Sequence, residues 1–130
     1  AQMAKLEGLL RERRMLALRY AALLANDPRW IVPVDDPGHT YQSFVLRMAD
    51  SVAWRRNGVM DKLLAEGIQT RPGTHAVHRL GFYARKYHLR AEQFPNACLA
   101  EDRTITLPIF PGMTETQQVR VVETLGNALT

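Results

Sequence analysis

The chain has 130 residues, 46% of them apolar, which is the size of one domain with a modest core. Seventeen basic against 13 acidic residues give a net charge of +4, which favours anionic partners such as nucleotides or phosphorylated sugars; the densest basic clusters, RERR at 11–14 and RKYHLR at 85–90, fall on different elements, so no nucleic-acid face is expected. There is no apolar run of about 18 residues and no secretory pattern in AQMAKLEGLLRERR, which predicts a cytoplasmic, membrane-free protein, and the single Cys98 excludes an intramolecular disulfide or a cysteine-based zinc site.

Residues 1–25 predict a long helix. Leu9, Leu16 and Leu23 recur every seven, flanked by Leu6, Leu10, Ala17, Tyr20 and Leu24, and Pro28 pushes Asp27 out of the helical region. Arg13 interrupts the stripe, which favours packing on a neighbouring domain over a coiled coil, and a stripe that starts with the first residues suggests a segment of something longer. After a Pro-rich connector, HTYQSFVLRM predicts a strand over 40–48, with Phe44, Leu46 and Met48 on one face.

NGVMDKLLAEGI predicts a helix with Asn57 as N-cap, Val59, Met60, Leu63 and Leu64 facing inward, and Gly67 taking the left-handed position after its end. HRLGFYARKYH reads as a helix over 78–88, and Phe94-Pro95 opens another. TITLP is a short strand ended by Pro108. A last helix starts at Glu115 under a Thr114–Gln117 capping box and buries Val119, Val122, Leu125 and Leu129. The order implies an α+β fold: a long N-terminal helix and a small sheet packed with helices.

Chemistry concentrates in GIQTRPGTHAVHRLGFY, residues 67–83. A metal site would use His75 and His78, with His39 or His88 added, but no HExxH motif or cysteine pair accompanies them, so no metal is expected. Cys98 sits in the apolar stretch NACLA and reads as a small buried hydrophobe, without local support for a nucleophile. TRPGTH offers a guanidinium, the hydroxyls of Thr70 and Thr74 and a glycine to an anion, without a Walker or GxGxxG signature. The alternative is a plain turn at Pro72-Gly73, with Thr74 capping the next helix and the histidines covering its surface.

The phrases QMAKLEGLLRERRMLALRYAALL, HTYQSFVLR, LLAEGIQTRPGTHAVH, FPNA and ITLPIFPGMTETQQVRVVETL, in this order, resemble the C-terminal part of the DegT/DnrJ/StrS sugar aminotransferases, pyridoxal-phosphate enzymes of the aspartate-aminotransferase fold (fold type I). The resemblance covers nearly the whole chain. It implies that residues 1–27 are a connecting helix, that 28–130 are the small C-terminal domain, and that the large domain with the Schiff-base lysine is absent. Lys5, Lys62 and Lys86 resemble no such motif, so this segment alone is expected to hold no cofactor and to be inactive.

For the parent protein the resemblance implies amino transfer, usually from glutamate, to a nucleotide-linked keto sugar, by a homodimer. A noncatalytic regulatory member of the family and a stand-alone basic binding module are the alternatives. In relatives the segment after the GI phrase approaches the substrate with a His-Tyr pair, a proline and a later histidine. His78 falls on that later histidine, whereas Gly73 and Thr74 stand in place of the pair and Ala76 in place of the proline. The substrate-binding candidates are therefore His78, Arg71, Thr74, His75 and Tyr41. Arg71 would meet a diphosphate or a donor carboxylate; a solvated surface arginine is its alternative.

Overall fold

In the computed structural model, which describes residues 3–130, a 3-10 turn at Met3–Lys5 leads into helix α1, Leu6–Leu24. The first two residues of the predicted helix lie outside the described residues. Its stripe is buried only over the C-terminal half: Leu16, Ala17, Tyr20 and Leu24 are in the core, while Leu6, Leu9 and Leu23 are 40%, 37% and 38% exposed. Tyr20 joins the helix to the sheet by donating its hydroxyl to the carbonyl of Pro108 at 2.9 Å, and burial pushes its pKa far up.

The sheet is antiparallel, in the order β1 (Trp30–Ile31), β2 (Phe44–Met48), β3 (Thr104–Leu107). Phe44, Leu46 and Met48 are buried, as their alternation predicts. The strand is shorter than the expected 40–48 because Tyr41 sits at φ 48, a left-handed conformation through which extended chain does not run. β1 falls in the Pro-rich connector, where no strand was expected; its two residues pair with Met48 and Arg47.

Helix α2 (Arg56–Ala65) grows directly out of a 3-10 turn at Ala53–Arg55, and the Arg56 N–H bonds to the Ala53 carbonyl. Asn57 therefore lies within the first turn and is not the N-cap. Val59 and Leu63 point into the core, Met60 packs against it, and Leu64 is 58% exposed. The helix stops as its sequence predicts: Gly67 has φ 76, its N–H bonds to Leu64 O at 2.9 Å, and the N–H of buried Ile68 reaches Leu63 O at 2.8 Å. A Cβ at Gly67 would meet nothing within 4 Å, so Gly67→Ala carries only the conformational cost. Its expected loss is about 1 kcal/mol in a denaturant titration.

The helix expected over 78–88 is split. A 3-10 turn at Val77–Arg79 is followed by extended Leu80, and α3 spans Gly81–Tyr87, ending at left-handed His88. Helix α4, Pro95–Asp102, starts with its proline in the first turn. Helix α5, Glu115–Asn127, has the predicted capping box: Gln117 N–H donates to Thr114 Oγ1 at 3.2 Å, and Thr114 N–H to Gln117 Oε1 at 2.8 Å.

The buried face of α5 is Gln118, Val121 and Leu125; Val119 and Val122 are only half-buried. A glutamine can occupy the inward position because its amide is paired. Its Nε2 donates to Leu16 O at 2.9 Å, and its Oε1 accepts from Arg19 at 3.3 Å. Among the described residues, no helix is long and apolar enough to cross a membrane.

Candidate functional site

Ile68 anchors the start of the 67–83 segment in the core, and the next residues run along the free edge of β3. Thr106 N–H donates to Arg71 O at 2.7 Å, Thr106 Oγ1 to Pro72 O at 3.3 Å, and Gly73 N–H to Thr104 Oγ1 at 3.1 Å. The backbone lies so close to the sheet that a Cβ on Gly73 would fall 2.4 Å from Val45 Cγ1 and 2.5 Å from Thr104 Oγ1. Gly73 is thus a packing requirement at the position where the resemblance leads one to expect a histidine.

An open groove of about 610 Å³ lies between α2, residues 42–43, the 69–71 segment and the end of β3. That volume suits a small molecule or part of one. Met60, Leu64 and Leu107 give it apolar surface, and Asp61, Gln69 and Arg71 give it polar groups. Arg71 is exposed, and its guanidinium makes no ion pair or side-chain hydrogen bond among the described residues. It is free to take an anionic oxygen pair. A smaller groove of about 210 Å³ beside Gly67 and Phe110 includes Arg120, but that side chain is engaged with Glu66 O at 2.7 Å.

Of the five sequence candidates, only Arg71 lines the larger groove. Tyr41 is buried and donates its hydroxyl to Asp35 Oδ1 at 2.7 Å; Arg14 holds the same carboxylate at 2.9 and 2.8 Å. Burial first, and then this carboxylate, raise the Tyr41 pKa. Thr74 is exposed and caps no helix, since extended Ala76 and Leu80 precede the two turns that follow. His75 is exposed, with Nδ1 3.5 Å from Glu101 Oε1 on α4.

His78, by contrast, is only 5% exposed. Its Nε2 lies 3.2 Å from Cys98 Sγ, and its ring stacks on Phe94 at 4.8 Å between centroids. The structure therefore brings His75 and His78 to α4 and leaves Arg71 at the groove. Cys98 is half-buried and hydrogen-bonded, not a plain core hydrophobe. Only the packing of α4 creates that contact, and no local signal in the sequence announces it. His39 is occupied elsewhere, accepting from Tyr41 N at 2.9 Å, and among the described residues no three metal-ligating side chains converge.

Arg79 pins this region to α4 by reaching Glu101 at 3.0 Å and Asp102 at 2.6 and 2.9 Å. The hydrogen bond from Arg79 is the main cause that lowers the Asp102 pKa. A carboxylate with a depressed folded pKa stabilises the fold above its unfolded value, about 3.9, and that contribution is lost as pH falls through the folded value. Acid unfolding is therefore expected to flatten below about pH 4 in Asp102→Asn relative to the parent, as followed by circular dichroism.

The lysines do not fit a pyridoxal-phosphate site. Lys62 Nζ donates to Ala128 O at 3.2 Å, Lys86 lies 5.3 Å over the rings of Phe82 and Tyr87, and Lys5 belongs to the first 3-10 turn. None lines the groove. No residue described here supplies the amine that such a cofactor attaches to.

Comparison with known proteins agrees with the fold. A model of the DegT/DnrJ/EryC1/StrS aminotransferase family matches residues 1–126. The chain is 26% identical over 126 residues to the spore coat polysaccharide biosynthesis protein SpsC of Bacillus subtilis, covering 94% of this chain and 32% of that protein. Helicobacter pylori PseC, an aminotransferase involved in the biosynthesis of pseudoaminic acid, superposes with a TM-score of 0.90 at 14% identity, over 98% of this chain and 34% of its own. Spr1654 of Streptococcus pneumoniae, solved in a PLP form, superposes with a TM-score of 0.87 at 18% identity, over 99% and 34%. The chain spans about a third of the length of these proteins. The α+β architecture is that of fold type I aminotransferases.

Proposed function

Because the chain belongs to the DegT/DnrJ/EryC1/StrS aminotransferase family, we propose that it is the small C-terminal domain of a sugar aminotransferase, with residues 1–27 as the connecting helix and 28–130 as the domain proper. In this reading the substrate is a keto sugar carried on a nucleotide, the amino donor is glutamate, and the pyridoxal-phosphate chemistry belongs to a large domain outside this chain. The assembled enzyme is read as a homodimer. The exposed Leu6, Leu9, Met15 and Leu18 of α1 would pack on the large domain.

The observation that carries the functional role is the unpaired guanidinium of Arg71 beside a groove of small-molecule size. Arg71 binds an anionic group, the diphosphate or the donor carboxylate, in bidentate geometry and so orients the substrate. A charge-assisted pair of this kind contributes enough that Arg71→Ala is expected to lower kcat/KM by about 10- to 100-fold, with Arg71→Lys intermediate. The measurement is steady-state formation of the amino sugar by the full-length protein, followed by mass spectrometry. Unchanged kinetics in Arg71→Ala would remove Arg71 from the substrate.

A further inference from the structure

Tyr41 is a bulky residue held at φ 48, a backbone conformation that persists only where its surroundings enforce it. Three sets of contacts do so. Its N–H donates to His39 Nδ1 at 2.9 Å, and its hydroxyl to Asp35 Oδ1 at 2.7 Å. The third set comes from another element: on α1, Arg13 Nη1 donates to the carbonyls of Tyr41 at 3.1 Å and of Gln42 at 3.0 Å. Arg14, next in the helix, holds the loop farther back, at Asp35 and the Asp36 carbonyl.

The residues after this turn belong to the groove. Phe44 pairs with Leu107 in antiparallel register, so Gln42 and Ser43, just before it, run beside Pro108 and Ile109. All four line the 610 Å³ groove with Arg71, whereas Arg13 does not. Extended backbone at Tyr41 would prolong β2; the left-handed residue ends the strand and gives Gln42 and Ser43 to the groove wall.

We infer that Arg13 is a positioning residue for the groove, holding the strained turn at Tyr41 so that Gln42 and Ser43 form one of its walls. This accounts for a charge that interrupts the apolar stripe of α1. Arg13 has no ion-pair partner among the described residues, and its guanidinium is spent on two backbone carbonyls. Such charge-assisted bonds restrain a loop more firmly than neutral ones. The ligand role of the wall rests on the sugar-aminotransferase reading, while the restraint on the turn does not.

Limited digestion of the full-length protein with chymotrypsin, followed by mass spectrometry, tests the restraint. The parent should resist cutting after buried Tyr41. Arg13→Ala should be cut there about tenfold faster, with the bonds after buried Tyr20 and Phe44 still protected, because only the loop has opened. Rapid cutting after Tyr41 in the parent, or equal resistance in parent and variant, overturns the inference.

Steady-state kinetics test the wall. Arg13→Ala should raise KM for the nucleotide-linked keto sugar about tenfold and change kcat less than about twofold, with the shorter Arg13→Lys intermediate in both assays. Millimolar guanidinium should restore KM in Arg13→Ala where sodium chloride does not; a variant that had merely lost stability would gain nothing from a denaturing ion. If the alanine variant does not fold, Arg13→Lys carries the test, and parent-like cutting and KM in it overturn the inference. An unchanged KM in Arg13→Ala, where Arg71→Ala is impaired, overturns the role of the wall. If Arg71→Ala is unimpaired as well, the groove reading falls and the wall with it, and the digestion still decides the restraint.

Discussion

Gly73→Ala is expected to lower the unfolding free energy by about 3 kcal/mol, read from the midpoint of a urea titration. The cause is space. The added methyl would sit 2.4 Å from Val45 Cγ1, and 2.5 and 2.8 Å from Oγ1 and Cβ of Thr104, on the neighbouring strands. Both neighbours are β-branched residues in the sheet, so neither side chain can swing aside as a long flexible one would. Relief requires the 71–73 segment to move off β3, and with it go the hydrogen bonds of Thr106 to Arg71 and Pro72. Arg71 would then lose its place at the groove. Gly73→Ala should accordingly weaken substrate binding as well as the fold, and a fully stable variant would mean that the segment does not lie against the sheet as described.

Phe44→Ala is expected to cost about 4 kcal/mol and to lower Tm by roughly 12 °C, measured by calorimetry. Phe44 is 1% exposed, pairs with Leu107 across the sheet, and has its ring 5.2 Å from that of Tyr20. Removing the ring opens a cavity between α1 and the sheet. The same cavity loosens the Tyr20 hydroxyl from Pro108, so the wall of the groove at Leu107 and Pro108 loses its backing. The loss falls on stability first and on the site through it.

What the residues announce in advance is local. The Thr114–Gln117 box, the left-handed Gly67, Pro95 at a helix start and Pro108 at a strand end each act within one turn of chain, so each reads directly from the sequence. Alternation places Phe44, Leu46 and Met48 for the same reason. Features that depend on distant partners do not read this way. Gln118 looks like a surface residue until Leu16 and Arg19 are seen to pair its amide. Tyr41 looks like a strand residue until its left-handed backbone and its bond to Asp35 are known.

The site divides in the same manner. Residue type together with the family resemblance singles out Arg71, and the structure places it beside the groove, where its contact with a substrate is a proposal. The meeting of His78 with Cys98 and Phe94 is not legible in the residues, because three separate pieces of chain must fold before it exists. The substitution of Gly73 for an expected histidine is explained by its closeness to Val45 and Thr104. Nothing in the packing explains Thr74, which is exposed.

The reading of this chain as the small domain of a sugar aminotransferase stands or falls on the amino-donor half of the reaction. The full-length protein, loaded with pyridoxal phosphate and mixed with glutamate, should lose the visible band of the bound cofactor while releasing a stoichiometric amount of 2-oxoglutarate. Addition of a nucleotide-linked keto sugar should then restore the band as amino sugar forms. A protein that binds pyridoxal phosphate yet leaves both the band and the glutamate unchanged would contradict the enzyme reading and mark a noncatalytic member of the family.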